Sequence, residues 1–237
     1  MELETFYDQR RMTFSKKLTP FVAASFIHLT LIILGEAQLV QITKPFLMPL
    51  LIFYFWSTTP KTPLSRFIII ALACSFIGDT LLIFSSSQEL FFMTGLVAFL
   101  LAHIVFILIN LSAVNEQAKR LKLQWQDIIF VGLGLFFFSF IKDDLGELYF
   151  PVVMYTVIIC LMALTARKRW NKVCRESFWL VMSGAIIFML SDFLLAVDKF
   201  NGDFEYAQFS IMFTYLMAQF LLIQGYKVFV QNLLKES

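Results

Sequence analysis

The sequence predicts an all-α integral membrane protein of eight transmembrane helices, and three observations carry that expectation. Its 237 residues are 59% hydrophobic and only 15% charged, with 29 Phe, more apolar surface than one soluble domain can bury. The apolar residues gather into eight runs joined by short polar connections, which suits about 20 residues per crossing. With those runs taken as alternating crossings, sixteen of the nineteen Lys and Arg fall on one side and only Lys44, Lys142 and Lys199 on the other. Basic residues mark cytoplasmic loops, so both termini are expected in the cytoplasm.

Residues 1–17 are too polar for the apolar core of a signal peptide and read as a cytoplasmic leader. The first run, Leu18 to Gly35, carries His28 as an isolated polar group. The second, Pro45 to Ser57, is short for a hydrocarbon layer of about 30 Å and is preceded by Lys44. The third, Phe67 to Phe84, holds Asp79, and the fourth, Leu90 to Leu111, holds His103. The fifth, Ile128 to Ile141, is again short, so it and the second must recruit polar flanks or be shielded by protein. Leu148 to Ala166 contains Tyr155, Phe178 to Val197 contains Asp192, and Ala207 to Val230 contains Tyr215 and Gln219. Residues 18–230 thus form one membrane domain, with 231–237 as a cytoplasmic tail. Cys74, Cys160 and Cys174 lack CxxC spacing, so they read as packing residues and neither a disulfide nor a metal site is expected. A scattered net charge of +2 gives no basis for a nucleic-acid partner.

The two halves resemble each other. SFIGDTLLIF from Ser75 parallels MLSDFLLAVD from Met189, FLLAHIV around His103 parallels YLMAQFL around Gln219, and PFLM from Pro45 echoes PVVM from Pro151. Four spans per half make the expected repeats parallel, which puts Asp79 and Asp192 at equivalent positions. Each lies five residues before the outer end of its apolar run, about 7 to 8 Å below it at 1.5 Å per residue. Ser75 with Asp79, and Gly184 with Phe188 and Asp192, follow one another at four-residue spacing, so small residues and carboxylates share a stripe that should face the bundle interior.

An acid inside an apolar run costs several kcal/mol unless it is paired, hydrated or protonated, so Asp79 and Asp192 are the candidate catalytic residues. His103, Tyr155, Tyr215 and Gln219 are polar groups fit to line a pocket or to bridge helices. Lys44 and Lys199 sit at the outer ends of their spans, where a cation meets a lipid phosphate or merely snorkels. The chain has no GxSxG, HExxH, P-loop or Rossmann motif, so a carboxyl pair is the one arrangement here suited to acid–base work. Three readings stay open on the residues alone: an enzyme, a proton-coupled transporter or flippase of a small or lipid-like solute, and a protein in which both Asp serve packing.

The motifs resemble those of the YhhN family of integral membrane proteins, which includes the mammalian lysoplasmalogenases. The carriers are Thr43, Lys44 and Pro45; Gly78 and Asp79 in FIGDTLL; Gly95, Phe99 and His103; GAIIFMLSDFLLAVDKF from Gly184 to Phe200, which includes Ser191; and Tyr215 with Gln219. Phe106 stands where the family often has Tyr. The resemblance implies a membrane hydrolase that cleaves the vinyl ether bond of a lysoplasmalogen, giving a fatty aldehyde and a glycerophospho-base with neither metal nor cofactor. It further implies a lysophospholipid substrate drawn from the bilayer, and the inner membrane as its location if the source is bacterial. In that chemistry a protonated carboxyl donates to the alkene carbon and water captures the resulting oxocarbenium ion. One of Asp79 and Asp192 would hold the proton and the other stay ionised, with Tyr155, Ser191, Tyr215, Gln219 and His103 around the substrate and Lys44 and Lys199 on its phosphate.

Overall fold

The computed structural model describes residues 16–85, 88–114, 125–202 and 204–236. Residues 1–15 of the expected leader, with Arg10 and Arg11, and the charges Lys119, Arg120, Lys122 and Asp203 lie outside the described residues. Each apolar run becomes one helix: α1 (Thr19–Ile33), α2 (Ala37–Thr58), α3 (Pro63–Ile83), α4 (Glu89–Ser112), α5 (Ile128–Ile141), α6 (Tyr149–Lys168), α7 (Arg175–Asn201) and α8 (Ala207–Glu236). Among these, α2, α3, α4, α6, α7 and α8 are long and apolar enough to cross a membrane, while α1 and α5, at 15 and 14 residues, are shorter.

The short second run recruits its polar flank, one of the two outcomes its length allows: α2 has 22 residues, with Gln38, Gln41, Thr43 and Lys44 helical ahead of the apolar run and Pro45 and Pro49 carried inside the helix. The first helix, α1, is short instead, and it ends where Gly35 takes a left-handed conformation, φ 74°. At the other end of the chain, residues 231–236 of the expected tail continue α8 as helix. The equal depth expected of the two aspartates is not matched by the helix ends. Asp79 lies four residues before the end of α3 at Ile83. Asp192 lies nine before the end of α7 at Asn201, because α7 runs past its apolar stretch through Asp198 and Lys199 to the turn at Gly202, φ 99°. Cys160 is buried, whereas Cys174 is exposed and so does not serve packing.

Helix starts follow local chemistry where it is available. Thr62 accepts the amide of Ser65 at 3.1 Å and Pro63 occupies the first turn of α3, satisfying one amide and removing another that would have no partner. The closest-packed neighbours are α7 with α8 and α3 with α4. At the first pair, a Cβ added to Gly225 would lie 2.9 Å from the backbone nitrogen of Val181, and one on Gly184 would lie 2.9 Å from that of Leu222. These glycines let two backbones touch, which is how membrane helices gain dispersion energy without a hydrophobic driving force between them.

Toward the α6–α7 turn the core becomes polar. Tyr226 donates to Asn110 Oδ1 at 3.0 Å and stacks on Phe106, and Asn110 donates to Thr165 Oγ1 at 3.3 Å. Arg169 is wholly buried, donates to Ser177 Oγ at 2.8 Å and lies against the rings of Tyr226 and Phe229. Tyr226→Phe strands the Asn110 carbonyl in this apolar setting. It is expected to lower stability by about 1 kcal/mol, read as a drop of a few degrees in the unfolding midpoint of the detergent-purified protein.

Candidate active site

Asp79 and Asp192 are both held in the bundle by tyrosines. On α3, Asp79 is 2% exposed and its Oδ2 accepts the hydroxyl of Tyr215, on α8, at 2.7 Å. One turn away Gln219 donates to Ser75 Oγ at 3.0 Å, so the four-residue spacings on the two helices lock together: Asp79 and Ser75 face Tyr215 and Gln219. Lys44, half-buried on α2, interacts electrostatically with Asp79.

On α7, Asp192 accepts the hydroxyl of Tyr155, on α6, at 2.6 Å through Oδ2, and His103 Nε2 on α4 lies 3.6 Å from the same oxygen. The His103 ring meets Tyr155 edge-on, with centroids 5.5 Å apart. Asp192 is the more open of the two carboxyls, at 12% exposure. It borders a cavity of about 50 Å³ with Tyr155, Thr156, Phe137 and Phe193, a volume on the order of one or two waters.

The two aspartates therefore turn to different tyrosines, and among the described residues neither hydrogen-bonds the other. Phe188 stands between their settings, one turn before Asp192 on α7 and fully buried. Its ring lies edge-on to Tyr215 at 5.7 Å and to His103 at 4.7 Å. A continuous run of side chains thus joins Asp79 to Asp192 through Tyr215, Phe188 and His103. The stripe of Gly184, Phe188 and Asp192 faces inward, as the spacing requires.

The remaining candidates are dispersed. Ser191 donates to the backbone carbonyl of Ile211 at 3.1 Å, so it ties α7 to α8. Lys199 is exposed at the end of α7, with its ammonium 4.8 Å from the centroid of the Phe92 ring. His28 belongs to the Lys44 neighbourhood. The Thr43 hydroxyl lies 2.8 Å from both Leu39 O and His28 Nδ1, and His28 Nε2 is buried with no hydrogen-bond partner among the described residues. Two kinds of residue gave no sequence signal: Phe188, one Phe among 29, and the α5 side of the cavity, where Gly134 and Phe137 belong to a run with no polar landmark near Asp192.

The YhhN family model matches residues 39–226, which take in Lys44, both aspartates, His103, Tyr155, Tyr215 and Gln219. The chain belongs to the YhhN family. This YhhN protein is 25% identical to the lysoplasmalogenase TMEM86B of Homo sapiens over 93% of its own length and 90% of that protein. It is 27% identical to the lysoplasmalogenase TMEM86B of Mus musculus, over 94% of its own length and 92% of the relative. With the lysoplasmalogenase TMEM86A of Bos taurus it shares 29% identity, over 68% of its own length and 65% of the relative. No solved structure matches it. Family and apolar helices together make it a multi-pass membrane protein.

Proposed function

We propose that this YhhN protein hydrolyses the vinyl ether bond of a lysoplasmalogen inside the membrane, with Asp192 as the proton donor and with its basic loops in the cytoplasm. The observation that carries the assignment is Asp192 itself: a carboxyl bonded to one tyrosine, bordering an apolar cavity, in a chain whose relatives are lysoplasmalogenases.

Tyr155 donates to Oδ2, which leaves Oδ1 as the oxygen that carries the acid proton. That proton goes to the alkene carbon farther from the ether oxygen, and the positive charge is shared between the other alkene carbon and the oxygen. The resulting carboxylate, next to the cation, takes a proton from the attacking water. Collapse of the hemiacetal then releases the aldehyde and returns the glycerol hydroxyl. One water is consumed and Asp192 ends the cycle protonated, the same economy as a glycosidase acid that turns base. Asp79, bonded by Tyr215 and close to Lys44, acts as the carboxylate of the pair, which fixes Lys44 and Tyr215 and adds negative potential near the cation. His103, edge-on to Tyr155 and Phe188, holds the Tyr155–Asp192 unit in place. Lys44 and Lys199 take the phosphate, while Gln219 and Ser191 serve by joining helices around the site.

Purified protein in nanodiscs, given a lysoplasmalogen, is expected to release free fatty aldehyde and glycerophospho-base, both followed by mass spectrometry. Intact lipid that merely changes leaflet overturns the hydrolase reading and leaves a carrier.

A further inference from the structure

The crevice beside Asp192 holds about 50 Å³, room on the order of one or two waters and for nothing larger. Its α5 wall is apolar, and its polar groups come from Tyr155, Thr156 and Cys160 on α6 and from Asp192 on α7. The donors among them are already used. The Tyr155 hydroxyl goes to Asp192 Oδ2 at 2.6 Å, the Thr156 hydroxyl to Val152 O at 2.8 Å and the Cys160 thiol to Phe130 O at 3.5 Å. What stays free is accepting capacity: the lone pairs of Thr156 Oγ1, and Asp192 Oδ1, whose acid proton the reaction sends to the alkene. A guest here must be small and must have two hydrogens to give. Thr156 is also fixed in orientation, since Oγ1 is tied back along α6 to Val152 and the methyl Cγ2 faces α5, 3.5 Å from where a Cβ on Gly134 would stand.

We propose that this crevice seats the attacking water and that Thr156 positions it. The proposal rests on the hydrolase reading and adds to it the place of the nucleophile. One O–H of the water donates to Thr156 Oγ1. The other donates to Asp192 Oδ1 once that oxygen has given up its proton, so a lone pair of the water is left to turn toward the oxocarbenium carbon. The new C–O bond forms from that pair, the O–H bond facing Asp192 breaks, and its proton goes to Oδ1. The O–H held by Thr156 becomes the hydroxyl of the hemiacetal. Apolar walls offer the water no competing donor, so its lone pair is not tied up, and a water held in place reacts without a separate encounter.

Radiolytic footprinting of the full-length protein in nanodiscs, with no lipid substrate added, tests the seat. X-rays split a bound water beside the side chains that surround it, and water enriched in heavy oxygen marks the adduct for mass spectrometry. Met189 is 3% exposed and lines the crevice, and it is expected to be oxidised well above Met48 and Met162, which are fully buried and do not line it. Thr156→Val keeps the shape and removes the acceptor. The Met189 mark should then be lost and kcat for aldehyde release should fall about tenfold with KM unchanged, while Thr156→Ser restores both. Thr156→Ala, which also lacks the acceptor, replaces the valine variant if that protein does not fold. Met189 marked no more than Met48 and Met162, or unchanged kcat in the variant without the hydroxyl, overturns the proposal. A marked Met189 in a protein that releases no aldehyde overturns the hydrolase reading instead, and the water's catalytic role goes with it.

Discussion

Asp192→Asn is expected to lower aldehyde release by about 10³-fold while leaving the protein folded, since general acid catalysis contributes typically 10²–10⁴-fold and here it is the whole of bond activation. Asparagine preserves the volume and still accepts the Tyr155 hydroxyl through its carbonyl, so α6 and α7 should stay in register. What it lacks is a proton acidic enough to transfer to carbon. The loss should fall on kcat, with the affinity for a saturated ether analogue of the substrate nearly unchanged. Asp79→Asn sets the contrast. Its partners Tyr215 and Lys44 are close but its carboxyl is 2% exposed and does not border the cavity, so the variant is expected to lose roughly tenfold, in keeping with one weakened electrostatic contact of about 1.4 kcal/mol. An Asp192→Asn protein that turns over normally removes the acid assignment. Equal losses in the two variants indicate that the carboxyls act as one unit despite their separate tyrosines.

Much of this arrangement could be read from the sequence because burial leaves a period. Asp79, Ser75, Tyr215 and Gln219 sit at four-residue spacings, and the structure pairs them across α3 and α8; Phe188 and Asp192 lie on one inward face of α7 for the same reason. Single polar residues inside apolar runs stand out, which is why Tyr155 and His103 are legible as polar groups of the bundle before their contacts are known. Depth was less legible. Hydropathy marks where apolar residues stop, whereas a helix continues until a residue such as Gly202 turns the backbone, so α7 outran its apolar stretch and α2 began well before its own. The cavity was not legible at all. It arises from how far α5 stands from α6 and α7, and that distance depends on Gly134, Cys160 and the Phe137–Phe193 stack, apolar contacts that a composition dense in Phe does not distinguish from lipid-facing ones.

Gly225→Val should be the most damaging packing change in the bundle. Its first added carbon would lie 2.6 Å from Val181 Cγ2, 2.9 Å from the Val181 backbone nitrogen and 3.0 Å from Leu180 Cβ, and a backbone neighbour cannot swing aside as a side chain can. Overpacking of this kind costs about 1–3 kcal/mol. A second loss adds to it, because the Gly225 carbonyl accepts the Ser177 hydroxyl at 2.8 Å, so pushing α8 from α7 leaves that carbonyl and the Ser177 hydroxyl, which also receives buried Arg169, without each other. A total near 3 kcal/mol predicts a fall of roughly 10 °C in the unfolding midpoint for a chain of this size. Gly132→Ala is the matched control: nothing lies within 4 Å of its added Cβ, and a helical Gly replaced by Ala gains up to about 1 kcal/mol in propensity, so its midpoint should hold or rise. Gly225→Val should also slow any lipid conversion, because α8 carries Tyr215 against Phe188 of α7, and separating the helices breaks the run of side chains between the two aspartates. Equal midpoints for the two glycine variants would mean that the α7–α8 contact does not hold the bundle together.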